Sequence, residues 1–343
     1  MIAERLAAQM LSGPPARTAV DVTRRLLAVQ GQDPRGARLA IRCRSAGLTA
    51  ADVDRDLSEE RSLLITWCNR GTLHLLASED YPWLHALTTP PLLTANARRL
   101  AEEGLRPMAA ERGVELIERV LAAEGPLGRT ALRDRLQAAG IRTEGQALVH
   151  LLMLASLRGL IVRGPMHGRE HAYALVADWL PRPARIERDR ALAELARRYL
   201  AGHGPAEDRD LARWAGLPLR DARAGLRAIA PELRELPGGM LDLERRACAD
   251  GPFAAAELPP RLLGAFDPLL LGWRSRAELL HGAEHVVTRN GIFRPFALVR
   301  GRAAGTWTIR AGAVVLEPLR ALRAGERRAL AADGEDVVRF LGL

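Results

Sequence analysis

The pattern of apolar and polar positions is clearest in residues 126–180. Leu148, Leu151 and Leu152 recur at helical spacing and predict a helix, which follows a shorter helix for which Thr130 is a plausible N-cap. Two apolar runs, GLIVRG and HAYALV, come next and are separated by a turn rich in Gly and Pro, as in a β-hairpin. The order of helix, turn, helix and hairpin is that of a winged helix.

The same order recurs on either side of this segment. In residues 191–243, Asp208 or Asp210 is a candidate N-cap for the second helix, and Gly-Leu-Pro at 216–218 is expected to end it. A weaker copy comes first, with the helical runs IAERLAAQML, TAVDVTRRLLAVQ and PRGARLAIRCRSAG and the hairpin SLLITWCNRGTLHLLA. The chain is therefore predicted to contain three winged-helix units in tandem, alike in element order but not in sequence.

Beyond residue 250 the pattern changes to short apolar runs separated by Asn-Gly, Arg-Gly and Ala-Gly turns, which predict a β-meander or small barrel. Pro259 and Pro260 mark a linker before it, and a final amphipathic helix is expected near residues 322–332. The predicted fold class is α+β and mainly helical. The predicted domains are winged-helix units at 1–110, 111–185 and 186–250 and a C-terminal β-rich domain at 251–343.

A break in the helical pattern separates two apolar runs near the N-terminus. Here Gln30, Gly31, Gln32 and Asp33 are followed by Pro34. Glycine costs about 1 kcal/mol in a helix interior, and proline disfavours helical backbone at the residue before it. The segment therefore predicts a helix end, an extended elbow and a new helix with Pro34 at its first position. Residues two apart share one side of an extended chain, so the two glutamine amides are expected to lie together.

The composition is that of a globular protein. Of 343 residues, 48% are hydrophobic and 27% are charged. The sequence has neither a run long enough to span a membrane nor the apolar core of a secretory signal, so a cytoplasmic protein is expected. Cys43, Cys68 and Cys248 are scattered and form neither a zinc motif nor a disulfide framework.

The charge balance is basic. The net charge is +9, and all 50 basic residues are arginine. One interpretation is a merely solvated surface, with part of the arginine excess due to a GC-rich genome. The other is a polyanionic partner, because arginines gain affinity by displacing counterions from phosphates. Aromatic residues make up only 4% of the chain, too few to stack the bases of a single strand, which favours a duplex.

Several common catalytic motifs are absent from the sequence. There is no GxxxxGK[ST], no GxGxxG between a strand and a helix, no GxSxG and no HExxH. The sequence therefore does not support an NTPase, a dehydrogenase, a serine hydrolase or a zinc protease.

The hairpin at residues 62–78 combines charge with polar side chains. Arg70 lies at its Asn-Arg-Gly tip, and Thr72 and His74 beyond the tip share one face of the strand. A polar face beside a cationic tip is unlike an ordinary hairpin of a protein core. The alternative is that His74 is a hydrogen-bonded histidine at the edge of a sheet.

Two neutral amides can assist only a few kinds of reaction. A glutamine amide takes no proton at neutral pH, but it can position a water and stabilise developing positive charge through its carbonyl oxygen. That suffices only for an activated leaving group, such as an N7-alkylated purine, which is cationic and departs as a neutral base. The alternative is that Gln30 and Gln32 cap backbone carbonyls or face water. Asp33 either adds a carboxylate or forms the Asx turn before Pro34.

Three stretches together resemble one family. They are Gln30-Gly31-Gln32 ahead of Asp33-Pro34, Arg70-Gly71-Thr72-Leu73-His74-Leu75, and Phe266-Asp267-Pro268-Leu269-Leu270-Leu271-Gly272. Over nearly its whole length the chain is similar to the winged-helix DNA-binding proteins that include AlkZ, a glycosylase that unhooks interstrand crosslinks. The resemblance implies three winged-helix units in a C-shaped scaffold that embraces DNA, followed by a β-rich domain. Gln-x-Gln is the pattern of the AlkZ-like branch, and a second branch has Gln-x-Asp.

The resemblance also implies site residues. Gln30 and Gln32 would orient the water that attacks the sugar C1′ carbon. Gly31 stands where a small aliphatic side chain is expected, which bears on the rate rather than on the reaction type. The predicted DNA-binding residues are Arg70, Thr72, His74, Asp267, Arg274 and Arg276.

The sequence thus predicts a monofunctional DNA glycosylase that needs no cofactor or metal, hydrolyses the N-glycosidic bond of N7-alkylguanine and unhooks crosslinks. Its partner would be double-stranded DNA with alkylated or crosslinked guanine, bound by a nucleoid-associated monomer in DNA repair or self-resistance to a genotoxic natural product. One alternative is a non-catalytic winged-helix regulator. Another is a protein–protein adaptor.

Overall fold

The computed structural model describes residues 1–167, 170–180, 186–244 and 258–343, which mix helices with antiparallel sheets. The described chain divides into two units, one formed by residues 1–53 and 189–343 and the other by residues 54–188. The predicted α+β class is confirmed. None of the helices in the described ranges is both long and apolar enough to cross a membrane.

The N-terminal part of the first unit is helical, as predicted. Thr18 caps the helix that begins at Ala19 by accepting a hydrogen bond from the backbone N–H of Asp21, and Asp33 caps the helix that begins at Pro34 in the same way. A further helix, which the pattern did not predict, leads into the second unit. The elements are α1 (Ile2–Ala8), α2 (Ala19–Leu26), β1 (Val29–Gln30), α3 (Pro34–Arg42) and α4 (Ala50–Ser58).

The second unit is built around an apolar core to which the helix Ala147–Leu157 contributes most of its residues. Leu151, Leu152, Ile117, Leu132 and Trp67 belong to one buried apolar cluster. The elements are β2 (Leu63–Cys68), β3 (Thr72–Ala77), α5 (Tyr81–Thr88), α6 (Pro90–Glu102), α7 (Pro107–Glu124), α8 (Arg129–Ala138), α9 (Ala147–Leu157), β4 (Ile161–His167), β5 (Glu170–Leu175) and α10 (Val176–Trp179).

Two details of the second unit differ from the sequence analysis. Thr130 is not the N-cap of α8, because the helix already begins at Arg129 and Gly128 is the capping residue. The hairpins β2–β3 and β4–β5, predicted as separate wings, share one antiparallel sheet in which Ile65 pairs with Arg163. Pairing of this kind depends on contacts between distant segments, which periodicity does not report.

The predicted helix, turn, helix and hairpin order is confirmed in the second part of the first unit. Neither Asp208 nor Asp210 is the N-cap of the second helix, because Glu207 holds that position. Asp210 is the third helical residue, and its carboxylate accepts a hydrogen bond from the backbone N–H of Glu207 at 3.1 Å. Gly216, with a φ of 70°, ends the helix as predicted. The two strands of the hairpin pair without a shift, from Leu233 opposite Leu243 to Leu236 opposite Met240. The elements are α11 (Arg188–His203), α12 (Asp208–Ala215), α13 (Leu219–Ala228), β6 (Leu233–Leu236) and β7 (Met240–Leu243).

The last part of the first unit is the predicted β-rich segment. Its four-stranded antiparallel sheet has the order β11 (Ala313–Pro318), β10 (Arg302–Arg310), β9 (Phe296–Val299) and β8 (Arg261–Leu263). The final helix is longer than predicted, because Gly334 lies within it facing Val314, and the helix ends only at Gly342. The elements are β8 (Arg261–Leu263), α14 (Ala277–Leu280), β9 (Phe296–Val299), β10 (Arg302–Arg310), β11 (Ala313–Pro318) and α15 (Ala324–Leu341). Cys248 and the predicted boundary residues 185 and 250 lie outside the described residues.

Candidate functional site

The two glutamines lie on an elbow between α2 and α3. Helix α2 ends at Leu26, and Leu27 adopts a positive φ of 62° that turns the chain out of the helix. The chain continues in extended conformation through Gln30, and Pro34 is the first residue of α3. The predicted helix end, elbow and helix start are therefore confirmed.

The amides of Gln30 and Gln32 are joined by a hydrogen bond. Nε2 of Gln30 donates to Oε1 of Gln32 over 3.2 Å, as expected for residues two apart on an extended chain. Gln30 is buried, with 6% of its surface exposed, whereas Gln32 is exposed. The buried amide thus holds the exposed one in a fixed orientation, which is what positioning a small reactant requires.

Asp33 acts as a helix cap. Its Oδ1 accepts a hydrogen bond from the backbone N–H of Gly36 over 2.8 Å, and its φ and ψ are extended. The predicted Asx turn is not formed, because its bond would reach the second residue on, whereas this one reaches the third and makes Asp33 the N-cap of α3. The cap fixes the start of α3 immediately after the glutamine pair.

The hairpin β2–β3 has the predicted tip. Asn69 and Gly71 both adopt positive φ, and the backbone N–H of Gly71 donates to the carbonyl of Cys68, closing a tight turn that presents Arg70. Arg70 and Thr72 are half-buried. The sequence-predicted cationic tip is therefore present, with little of its polar face open to solvent.

His74 is a buried, neutral histidine. Its Nδ1 lies 2.9 Å from the backbone carbonyl of Thr72, and 2% of its surface is exposed. Burial, together with the nearby positive charge of Arg70, lowers the pKa of His74 to about 3, and the hydrogen bond to Thr72 opposes the shift. The ring therefore has almost no exposed surface, and the contact of His74 with DNA stays a prediction. The alternative of a hydrogen-bonded structural histidine fits its surroundings.

The second unit is expected to lose stability in mild acid. Burial lowers the pKa of His85 to about 4, so His74 and His85 stay neutral in the fold but bind protons near pH 6.5 when unfolded. Because the unfolded chain binds more protons below pH 6.5, stability present at pH 7 is lost as the pH falls, by up to about 1.4 kcal/mol per pH unit for each histidine. Thermal unfolding followed between pH 7 and pH 5 measures this loss.

The matched variant for this prediction is the double substitution His74→Asn and His85→Asn. It lowers stability at pH 7 but is expected to flatten the pH dependence. A pH dependence that stays as steep as that of the unaltered protein would contradict the assignment to these two histidines.

Asp267 is not available to DNA. Its carboxylate forms a two-point ion pair with Arg44 at 2.8 and 2.9 Å, and neither side chain has any exposed surface. Its Oδ1 also accepts the backbone N–H of Leu269. Burial alone would lower the pKa of the Arg44 guanidinium, but the adjacent carboxylate raises it overall, so the arginine stays charged. The prediction that Asp267 binds DNA is corrected, since the residue is enclosed by the arginine that neutralises it.

Arg274 and Arg276 have different surroundings. Arg274 is exposed, and its Nη1 lies 3.7 Å from a carboxylate oxygen of Glu207. The guanidinium of Arg276 lies 5.0 Å from the centre of the Phe293 ring, and its Nε donates to the carbonyl of Leu270. Burial, and after it the charge of Arg213, lowers the pKa of Arg276.

Arg42 and Arg44 were not predicted as residues that hold the site in place. Arg42 donates to Asp333, Asp336 and the carbonyl of Leu262, so both arginines join α3 and the residue following its C-cap to the C-terminal part of the unit. The available signal was two arginines flanking Cys43 at the end of an apolar helix, since buried arginines are almost always paired. No three His, Cys, Asp or Glu side chains within the described ranges are grouped so as to hold a metal ion.

Comparison with known proteins gives concordant results. The family model described as DNA glycosylase AlkZ-like matches residues 23–340. An interstrand DNA cross-link repair glycosylase of Streptomyces sahachiroi is 28% identical over 345 residues, covering 93% of this chain and 89% of the relative. The solved structure of Streptomyces sahachiroi DNA glycosylase AlkZ is 26% identical with a TM-score of 0.76, over 100% of this chain and 96% of that chain. The protein belongs to the AlkZ-like DNA glycosylase family.

Proposed function

We propose that this protein is a DNA glycosylase that hydrolyses the N-glycosidic bond of N7-alkylguanine and thereby unhooks interstrand crosslinks. The observation that carries the proposal is the hydrogen-bonded pair of Gln30 and Gln32, with one amide buried and the other exposed on an elbow. Membership of the family supports it, as does a relative described as an interstrand cross-link repair glycosylase.

The pair would act on water. The exposed carbonyl side of Gln32 accepts a hydrogen bond from the water and aims its oxygen at C1′, while Gln30 holds the Gln32 amide in place. The bond between C1′ and N9 breaks, and its electron pair returns to the base, which leaves as neutral N7-alkylguanine. The water oxygen bonds to C1′ and releases a proton to solvent. The products are free base and an abasic site, and a crosslink is unhooked because one of its two bases is no longer attached to sugar.

Neutral amides suit this substrate class. An N7-alkylated guanine already carries a positive charge, so its departure needs no acid to protonate the base. The partial negative charge on the glutamine carbonyls would also stabilise the oxocarbenium character that develops at C1′. An unmodified guanine lacks the positive charge, so the same pair would leave it intact.

Double-stranded DNA with alkylated or crosslinked guanine is the proposed partner of a monomeric protein. The net charge of +9 favours a polyanion. The proposed DNA-binding residues are Arg70, Thr72, His74, Arg274 and Arg276. The guanidinium of Arg276 lies over the Phe293 ring, which limits its freedom to move and suits it to bind a phosphate. The three winged-helix units, the C-shaped scaffold and the role in repair or self-resistance are part of the same proposal.

Base release is the decisive experiment. The protein is incubated with duplex DNA containing 7-methylguanine or a nitrogen-mustard crosslink, and free base, alkali-labile sites and separated strands are measured. We expect free base and abasic sites without strand cleavage before alkali treatment, and none from the matched undamaged duplex. Salt-sensitive binding without base release would instead identify a regulator. Weak binding that is insensitive to salt would identify an adaptor.

A further inference from the structure

We propose that residues 262–267, more than 200 positions from the elbow, position the Gln30–Gln32 pair for catalysis. Gly36, Gly264 and Asp267 are positioning residues in this arrangement, and they act through α3 without touching the substrate. The inference rests on the proposed function of the pair.

Helix α3 connects residues 262–267 to the elbow that carries Gln30 and Gln32. Only three residues separate Gln32 from Gly36, and the Asp33 cap joins them rigidly through the backbone N–H of Gly36. A displacement of the first turn of α3 therefore moves Gln32, because no flexible segment lies between them. Whatever holds that turn also sets the direction of the exposed amide.

Two glycines bring α3 against residues 262–267. A Cβ atom added at Gly36 would overlap the carbonyl oxygen of Ala265. A Cβ added at Gly264 would lie 2.9 Å from Cβ of Leu39 and 3.0 Å from the carbonyl oxygen of Gly36. Real side chains do not approach other atoms this closely, so the close contact between α3 and residues 262–267 depends on glycine at both positions.

Phe266, within residues 262–267, has a strained backbone conformation. Its φ of 55° lies in the left-handed region, which an aromatic residue rarely adopts. A strained backbone conformation of this kind is retained only where contacts on both sides hold the residue in place. Here the neighbours are Ala265, against which Gly36 packs, and Asp267, which is locked to Arg44.

The C-terminal end of α3 is held by charge. Nη2 of Arg42 donates to the carbonyl of Leu262 over 2.8 Å, and Arg44, one residue beyond the C-cap, forms the two-point ion pair with Asp267. The helix is thus joined to the same short segment near its first turn and beyond its last, which leaves it little freedom to slide or tilt.

The same network reaches the other side of the elbow. Gln9 accepts a hydrogen bond from Arg44 through its Oε1 and donates from its Nε2 to the carbonyl of Gly202. Gly202 in turn packs against the end of α2, where an added Cβ would overlap the carbonyl oxygen of Arg25. The elbow is therefore held from both flanks by contacts that converge on the Arg44–Asp267 ion pair.

A matched pair of glycine substitutions tests the proposal. Gly36→Ala introduces an overlap with Ala265, and Gly225→Ala introduces the same kind of overlap, between a helix and the carbonyl oxygen of Leu192, away from the elbow. Single-turnover base release, duplex binding and thermal unfolding are measured on the full chain. Selective ¹⁵N-glutamine labelling reports the side-chain amides directly, because the chain has only five glutamines.

We expect Gly36→Ala to lower the single-turnover rate at least tenfold, with unchanged duplex affinity and shifted amide resonances of Gln30 and Gln32. Gly225→Ala should lose a comparable amount of thermal stability and keep its rate within about twofold. Equal rates in the two variants, or unmoved amide resonances in Gly36→Ala, would overturn the proposal. If Gly36→Ala does not fold, Gly264→Ala makes the milder contact with Leu39 and takes its place.

Failure of the proposed function is distinguishable from failure of this inference. A wild-type protein that releases no base refutes the glycosylase assignment, whereas the amide resonances of the Gly36 and Gly225 variants still decide whether residues 262–267 orient the pair.

Discussion

Gln30→Ala and Gln32→Ala are each expected to lower the single-turnover rate of base release by roughly 10²–10³-fold, the usual cost of removing a pre-oriented hydrogen-bonding group. Gln32→Ala removes the exposed amide that would hold the water. Gln30→Ala removes the donor that fixes Gln32, because Nε2 of Gln30 and Oε1 of Gln32 are bonded at 3.2 Å. Since the two act as one unit, the double variant should be little slower than the slower single variant.

The control for this prediction is another exposed glutamine. Gln146→Ala, at the start of α9 in the second unit, should leave the rate unchanged. Both catalytic variants should bind duplex DNA with nearly normal affinity, since neutral amides contribute little to counterion release. Full activity in either single variant, or a loss of binding that parallels the loss of rate, would assign the pair a structural role.

Asp267→Ala is expected to destabilise the first unit by about 3–5 kcal/mol, the usual cost of leaving one charge of a buried ion pair without its partner. Arg44 has no exposed surface and donates two hydrogen bonds to this carboxylate, so the substitution strands a cation that water cannot reach. Urea or thermal unfolding of the full chain measures the effect as an earlier transition of residues 1–53 and 189–343.

Two comparisons sharpen this test. The double substitution Arg44→Met with Asp267→Leu removes both charges and should recover much of the stability lost in the single variant. Glu102→Ala breaks an exposed pair with Arg98 and Arg99, so the unfolding transition should barely move. A cost for Asp267→Ala no greater than that for Glu102→Ala would refute the buried pair as an anchor of the unit.

Local sequence patterns were sufficient to predict the elbow between α2 and α3. Gly31 and Pro34 act on their own backbone and on that of the preceding residue, so the break in the helix and the start of α3 at Pro34 could be predicted. The hydrogen bond between the two amides followed from the same local geometry. The turns at Gly71 and Gly216, both with positive φ, were predictable for the same reason.

Distant contacts were not predictable from spacing. His74 alternates along its strand as a surface residue would, yet it is buried, because strand alternation does not say what covers each face. Asp267 lies in a stretch that resembles the family, and its carboxylate was expected near DNA. It is instead bonded to Arg44, a residue 223 positions away that no local pattern connects with it.

The sequence by itself determined most of the elements, the break between α2 and α3 and the adjacency of Gln30 and Gln32, because each depends on the conformational preferences of a few neighbouring residues. The tertiary structure decided which polar residues are enclosed, that two hairpins share a sheet, and that Gly264 and Asp267 lie against the helix that follows the glutamines. These outcomes depend on close packing and charge pairing between segments far apart in the chain. Local periodicity does not show which distant segments come into contact.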